Sequence, residues 1–520
     1  MSLPPPPPAP PPPKIRERLR AAVKPIPFGL GLAIFAALML LDSPLQHFGA
    51  MGARPAHAAA VTALMAFWWL TEALPIQITA CVPLVFFPFL GVFSADALDN
   101  TLATAKPYVD PYIFLFLGGM CIAAAMQHWN LHSRIAVRIM ALIGTDPRRL
   151  LLGVLCGSGF ISLWISNTAT AAMMVPIALA IVHELEARAG RRRLEAYGGA
   201  IMLAVAYGAN IGGIGTKIGT APNAQFSQFM AQSVGVDVTF LRFMAVGMPF
   251  VIMFIPLAWL VLWRAGRADA PSADVGAAVV ADEVRRLGPM HRGERIVAAV
   301  FVCTALLWIL GKPIHTALTP FFTDQHASGL SPYGPDFKLL PAHVEGGVAM
   351  LAALVLLLWR VDGGPALPIR ALRLVPWDTL LLLGGAFSMA QGVQQSGLSD
   401  YMGTQLRGLS SLGGLSQVLV ASLATVGLTS VASNTATLGV MLNVLKDAVS
   451  PVHLNTVLFA ATISASLDFA LPAGTPPNAI VFGTGYLTVA RMVKVGVVLD
   501  LAGGLLAAFW CALVVPWVLG

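Results

Sequence analysis

Apolar runs close to 20 residues long recur from one end of the chain to the other, and that length spans a bilayer as a helix. The runs fall near 27–43, 57–73, 77–94, 108–128, 197–211, 242–264, 297–311, 344–360, 375–395, 452–470 and 495–518. Only 11% of the 520 residues are charged and 57% are hydrophobic. A soluble domain carries about 25% charged residues, so this chain lacks the charge to cover a surface that faces water. No alternating segments of strand length repeat, which argues against an outer-membrane barrel. The expectation is an all-α polytopic membrane protein of about 11 spans.

Two further apolar stretches, 150–184 and 412–449, are each interrupted by the same pentapeptide. Ser-Asn-Thr-Ala-Thr stands at 166–170 and again at 433–437. Each copy is followed by a Gly/Pro-rich break inside another apolar segment: "NIGGIGTKIGTAPNAQF" at 210–226 and "DFALPAGTPPNAIVFG" at 468–483. Gly219-Thr220-Ala221-Pro222-Asn223 aligns with Gly474-Thr475-Pro476-Pro477-Asn478. Paired motifs in the same order indicate an internal repeat. If each interrupted stretch enters and returns on one side of the membrane, five spans separate the copies. An odd number inverts the second half relative to the first, a plan found in many secondary transporters.

A broken helix in hydrocarbon leaves backbone groups unpaired at a cost of several kcal/mol each, unless protein or a watery cavity satisfies them. Its N-terminal end offers N–H groups and a positive dipole to an anion, and its unwound carbonyls suit a hard cation. Ser166, Asn167, Thr168 and their twins Ser433, Asn434, Thr435 add neutral donors and acceptors at two hairpin turns. Such residues in a single membrane helix commonly cap it or bind a neighbour. Two copies, each with a matching break, point to a binding site instead. Neutral ligands also release an anion more readily than an arginine clamp.

Arg16, Arg18, Arg20 and Lys24 precede the first run, and residues 191–193 and the arginines of 264–295 and 360–373 fall on the same side. The positive-inside rule places the amino terminus in the cytoplasm, and with 11 spans the carboxyl terminus is external, in a bacterial-type inner membrane. This bias accounts for the net charge of +7 without nucleic acid as a partner. Cys81, Cys121, Cys156, Cys303 and Cys511 are scattered in apolar segments and read as packing residues. His47, His57, His128 and His132 read as interfacial, Trp68, Trp69 and Trp164 as packing or anchors, and Glu72 as a cap or ion-pair member. Residues 1–13 open the chain with a proline tract that should be extended and solvated. No Ser/His/Asp order, H-E-x-x-H or other hydrolase signature appears, so no enzyme activity and no organic cofactor are expected.

These motifs make the chain resemble the divalent anion/sodium symporter family, which includes sodium-coupled dicarboxylate and citrate carriers. The resemblance covers roughly 27–518. It implies a homodimer of elevator-type transporters that carry small di- or tricarboxylates, C4-dicarboxylates in first place, with sodium as the coupling ion. It implies an amino-terminal tail over 1–26 and a first repeat over 27–264, with hairpin 150–184 and broken helix 197–230. A cytoplasmic linker over 265–296 and a second repeat over 297–520 follow, the latter with hairpin 412–449 and broken helix 452–487. The implied sodium ligands are Ser162, Ser166, Asn167 and Gly219 in the first half, and Thr429, Ala432, Asn434 and Gly474 in the second. The implied anion contacts are Asn167, Thr168, Thr220, Asn434, Thr435, Thr475 and Pro476.

Two residues depart from the family pattern. Lys217 stands where an apolar residue or proline is usual, and Asp468 where a small apolar residue is usual. An ionisable side chain at mid-membrane depth is expensive and marks function by default. Lys217 is a candidate built-in cation in a sodium-independent exchanger. Asp468 is a candidate proton site or a partner for Lys217. Each also has a structural reading, in which the side chain snorkels or caps a broken helix. A sulfate carrier and an anion channel remain as further alternatives; uncoupled, unsaturable flux is the mark of the channel.

Overall fold

The computed structural model describes residues 23–40, 45, 52–188, 194–327, 339–405 and 407–520. The proline tract, His47 and the 191–193 arginine cluster lie outside them. The described residues are almost wholly helical, with a single short ladder in which Arg360 pairs with Pro365 and Val361 with Gly364. Five helical segments are long and apolar enough to cross a membrane: Ala97–His128, Asn167–Arg188, Phe240–Asp269, Pro341–Leu358 and Val489–Leu519. A sixth arises if Arg292–Ile309 and Gly311–Pro320, bent by 66°, form one broken span. The other apolar runs are carried by helices that are shorter, interrupted or more polar.

The interruptions have local causes. Helix α1 (Pro147–Ser162) starts on an Asp146 cap, whose carboxylate accepts from the backbone N–H groups of Arg148 and Arg149, with Pro147 in its first turn. It stops at Ser162. After a short turn, α2 (Asn167–Arg188) begins at the S-N-T cluster. Helix α3 (Glu195–Gly213) is buried on all sides from Tyr197 to Gly213 and ends in the glycine-rich run. The chain then turns through 214–220, and Pro222 helps restart it as α4 (Ala221–Phe229) from an extended Thr220.

The second half repeats this sequence of events. Helix α5 (Gly414–Thr429) ends just before the second cluster and α6 (Asn434–Ala448) begins on it. Helix α7 (Leu454–Ser464) stops before the second break. The chain resumes as α8 (Pro476–Phe482), capped by the Thr475 hydroxyl accepting from Asn478 N–H, and then as the long α9 (Val489–Leu519).

Close packing holds the breaks in place. A Cβ on Gly212 would collide with the backbone of Gly159, so only glycine lets α3 cross α1 at this spacing. Tyr207 on α3 donates through its hydroxyl to the Phe469 carbonyl at 2.8 Å, tying the first half to the second break. At the edge of the fold, buried Arg134 is matched to Glu294 at 2.5 Å and also donates to the carbonyls of Leu287 and Gly288. Trp68 and Trp69 are buried, in keeping with packing roles, and all five cysteines are free.

Candidate functional site

The two S-N-T clusters and the two Gly/Pro breaks meet around one cavity of about 500 Å³. Ser166, Asn167 and Thr168 line it together with Ser433, Asn434 and Thr435. So do Gly219, Thr220, Gly474, Thr475 and Pro476. Every expected anion contact is therefore brought to one place, although the two clusters lie more than 260 residues apart in sequence. Of the expected sodium ligands, Ser162, Thr429 and Ala432 do not line the cavity, nor do Lys217 and Asp468.

The reason for the convergence is that helices begin here. Helices α2, α4 and α6 all have their first residues at the cavity, and the short α8 starts beside them. Each brings unpaired backbone N–H groups and the positive end of its dipole. Among the described residues Glu72 is the one lining side chain with a formal charge, so the donors that face the cavity are amides, hydroxyls and backbone.

Behind the lining, each cluster is braced in the same way. Ser162 donates to Asn167 Oδ1 at 2.8 Å, and five residues separate them. Thr429 donates to Asn434 Oδ1 at 2.9 Å with the same separation. Thr429 also reaches the Ala465 carbonyl at 2.8 Å. The breaks match as well. Asn223 Nδ2 donates to the carbonyls of Gly213 and Thr216, at 2.8 and 2.6 Å. Asn478 Nδ2 donates to those of Asp468 and Leu471, at 3.1 and 3.0 Å. In both cases the acceptors lie ten and seven residues before the asparagine. In the first half, a Cβ on Gly219 would run into Gly213 and the Ser162 carbonyl, which shows oxygens and backbone drawn close around that glycine. Carbonyl oxygens drawn together in this way suit a hard cation.

Two residues that sequence reasoning missed organise the centre. Asn210, on α3, accepts from Asn167 Nδ2 at 3.4 Å and donates to the Asp468 carbonyl at 3.3 Å and to Thr475 Oγ1 at 3.2 Å. It links one cluster to the opposite break and lines the cavity itself. Its signal was a lone amide in an otherwise apolar helix. The second is Glu345, in the helix Pro341–Leu358.

Glu345 corrects one expectation. Lys217 pairs with it, Nζ to Oε2 at 2.6 Å, and not with Asp468. Both side chains are almost completely buried. The other Glu345 oxygen accepts from Phe240 N–H at 2.7 Å, and the ammonium lies 4.8 Å from the Tyr112 ring centre. The partner was invisible because it is 128 residues away in sequence; only the packing of its helix beside the break brings it within reach.

Apolar helices of this length packed around a central cavity are those of a multi-pass membrane protein. The model of the sodium:sulfate symporter transmembrane region matches residues 29–518, and the chain belongs to this family. It is accordingly a transporter and not an enzyme. It is 31% identical over 510 residues to a sodium-dependent dicarboxylate transporter of Staphylococcus aureus, covering 96% of this chain and 93% of that one. It is 32% identical over 502 residues to the protein of the same name in Staphylococcus saprophyticus, covering 94% and 91%. Among solved structures, it resembles the YdaH transporter of Alcanivorax borkumensis (TM-score 0.50, 88% of this chain and 98% of that one). It also resembles MtrF of Neisseria gonorrhoeae (TM-score 0.52, 88% and 97%). Both are 13% identical to it, and they bear on the fold alone.

Proposed function

We propose that this protein is a sodium-coupled symporter of small dicarboxylates, with C4-dicarboxylates as its natural size class. The observation that carries this is the convergence of helix starts α2, α4, α6 and α8 on a cavity lined by amides and hydroxyls. Helix N-termini and neutral donors hold a dianion without an arginine clamp, and so allow it to leave. The names of the staphylococcal relatives support both the dicarboxylate and the sodium.

In this reading Asn167, Thr168, Thr220, Asn434, Thr435, Thr475 and Pro476 contact the anion. One sodium is held by Ser162, Ser166, Asn167 and the backbone at Gly219, and a second by Thr429, Ala432, Asn434 and the backbone at Gly474. The 150–184 and 412–449 segments act as re-entrant hairpins of two inverted repeats, 27–264 and 297–520. They move with the broken helices as an elevator against the remaining helices, in a homodimer with the amino terminus in the cytoplasm. The matched hydrogen-bond offsets in the two halves support the repeat. The burial of Lys217 against Glu345, away from the cavity lining, weighs against a built-in cation in an exchanger.

The test is uptake of labelled succinate into proteoliposomes. The three conditions are an inward sodium gradient, potassium in place of sodium, and potassium with succinate inside. Uptake in the first condition alone is expected. Uptake that ignores sodium and needs internal succinate would replace the symporter with an exchanger.

A further inference from the structure

The matching offsets of Asn223 and Asn478 put the two breaks in register, so that Gly213 corresponds to Asp468 and Gly219 to Gly474. The glycine contacts agree. A Cβ on Gly219 would run into Gly213, and a Cβ on Gly474 would run into both carboxylate oxygens of Asp468. At Gly213 itself, a Cβ would run into Asn167 Oδ1. The first half thus has a bare hydrogen at the position where the second half has a carboxylate.

That carboxylate is fully buried, and among the described residues neither of its oxygens has a hydrogen-bond partner. Three neighbouring donors are engaged elsewhere. Asn478 Nδ2 and Asn210 Nδ2 go to the Asp468 backbone carbonyl, and the Tyr207 hydroxyl to the Phe469 carbonyl. Asp500 on α9 also faces this break, where it accepts from Phe469 N–H at 2.9 Å. A carboxylate placed as that of Asp468 is ionised only where a cation faces it. Gly474, which packs directly against this carboxylate, lines the cavity, as does Asn434. The arrangement supplies hard oxygens and a carboxylate packed behind Gly474, and among the described residues no basic side chain pairs with it.

We propose that Asp468 is a direct ligand of a sodium ion bound beside Gly474, so that the second-half cation site is anionic while its first-half counterpart is neutral. This rests on the sodium-coupled reading above and adds to it which site carries the charge. One sodium is then balanced by the protein itself, and the second-half site binds sodium the more tightly of the two.

The test uses the full-length protein purified in detergent, with two readouts that do not need transport. In the first, melting temperature is followed against sodium chloride at constant ionic strength, with potassium as the balance. Wild type should melt higher with sodium. Asp468→Asn should need about tenfold more sodium or greater for the same rise, because it removes a buried charge that the ion was facing. Asp468→Glu should keep a sodium response, with a changed preference between lithium and sodium. In the second readout, wild-type protein is treated with a hydrophobic carbodiimide and the peptide containing Asp468 is followed by mass spectrometry. Sodium, and not potassium, should protect it; this arm stands even if Asp468→Asn does not fold. An unaltered sodium response in Asp468→Asn, or labelling that sodium leaves unchanged, would overturn the proposal. Wild-type uptake that still requires sodium alongside either result would leave the symporter reading intact, whereas sodium-independent uptake would remove both.

Discussion

The two Gly/Pro breaks share a backbone plan and differ in charge. In the first, Lys217 finds Glu345 and the pair is sealed away from the cavity. In the second, the position corresponding to Lys217 is Pro472, and the ionisable residue is Asp468, whose carboxylate has no hydrogen-bond partner among the described residues and packs behind Gly474. Both are ionisable residues at depth in an apolar protein, and either would be flagged as functional by its location alone. Their neighbours separate them. A buried ion with a counter-ion and further hydrogen bonds is part of the architecture. One with neither is the stronger candidate for a ligand-binding role.

The comparison can be broken most severely at the clusters themselves. Replacing Asn167 and Asn434 together with alanine removes the amide from both halves of the cavity. Each loss of a hydrogen bond to a charged group costs about 1.5–3 kcal/mol, so uptake by the folded double variant should fall at least about a hundredfold; activity within a few fold of wild type would refute the site. Next comes the sealed pair. Lys217→Met leaves Glu345 buried alone and should destabilise the protein by about 3–5 kcal/mol, seen as a large drop in melting temperature. Adding Glu345→Gln should recover most of that loss and leave the sodium dependence of uptake unchanged. If the double variant instead loses or reverses its sodium dependence, Lys217 is a coupling residue after all.

Asn210 should show an intermediate effect. Asn210→Ala breaks its links to Asn167, Asp468 and Thr475 and should cost about 1–3 kcal/mol, read as a lower melting temperature with a raised KM. A change at Asn210 that alters neither would mean the two halves are not joined through it. The smallest effect is expected at Gly213→Ala, which puts a side chain in the first half at the position that Asp468 holds in the second. The new methyl presses on Asn167 Oδ1, and the apparent sodium affinity should weaken several fold with little change in stability. An unchanged sodium affinity would dissociate Gly213 from the cation site.

The two clusters and the two breaks were more legible in the sequence than the helices packed around them. The duplicated S-N-T-A-T and the paired breaks are local patterns, and local patterns survive in a linear reading. They were enough to bring Asn167, Thr220, Asn434 and Thr475 to one cavity, as the structure does. Where each break falls was also legible, because glycine and proline act on the residues beside them. Pairings across the chain were not. Glu345 meets Lys217 only because one helix packs beside another, and no spacing rule links positions 128 residues apart. Asn210 was visible as a lone amide, but its bonds to both halves depend on how α3 crosses the second break. The count of spans was obscured for a related reason: apolar character marks a segment as buried without saying whether it faces lipid or protein. The all-round burial of α3 is the clearest case.

The most direct test of the central claim is a binding measurement on purified protein, in which succinate is added in sodium and in potassium and the melting temperature is followed. If anion and sodium share the cavity built from the two S-N-T clusters, each must strengthen the binding of the other. Succinate should then raise the melting temperature in sodium, do little in potassium, and do nothing in either salt for the Asn167→Ala, Asn434→Ala variant. An equal rise in potassium, or a rise that survives in the double variant, would contradict a sodium-coupled dicarboxylate site at this cavity.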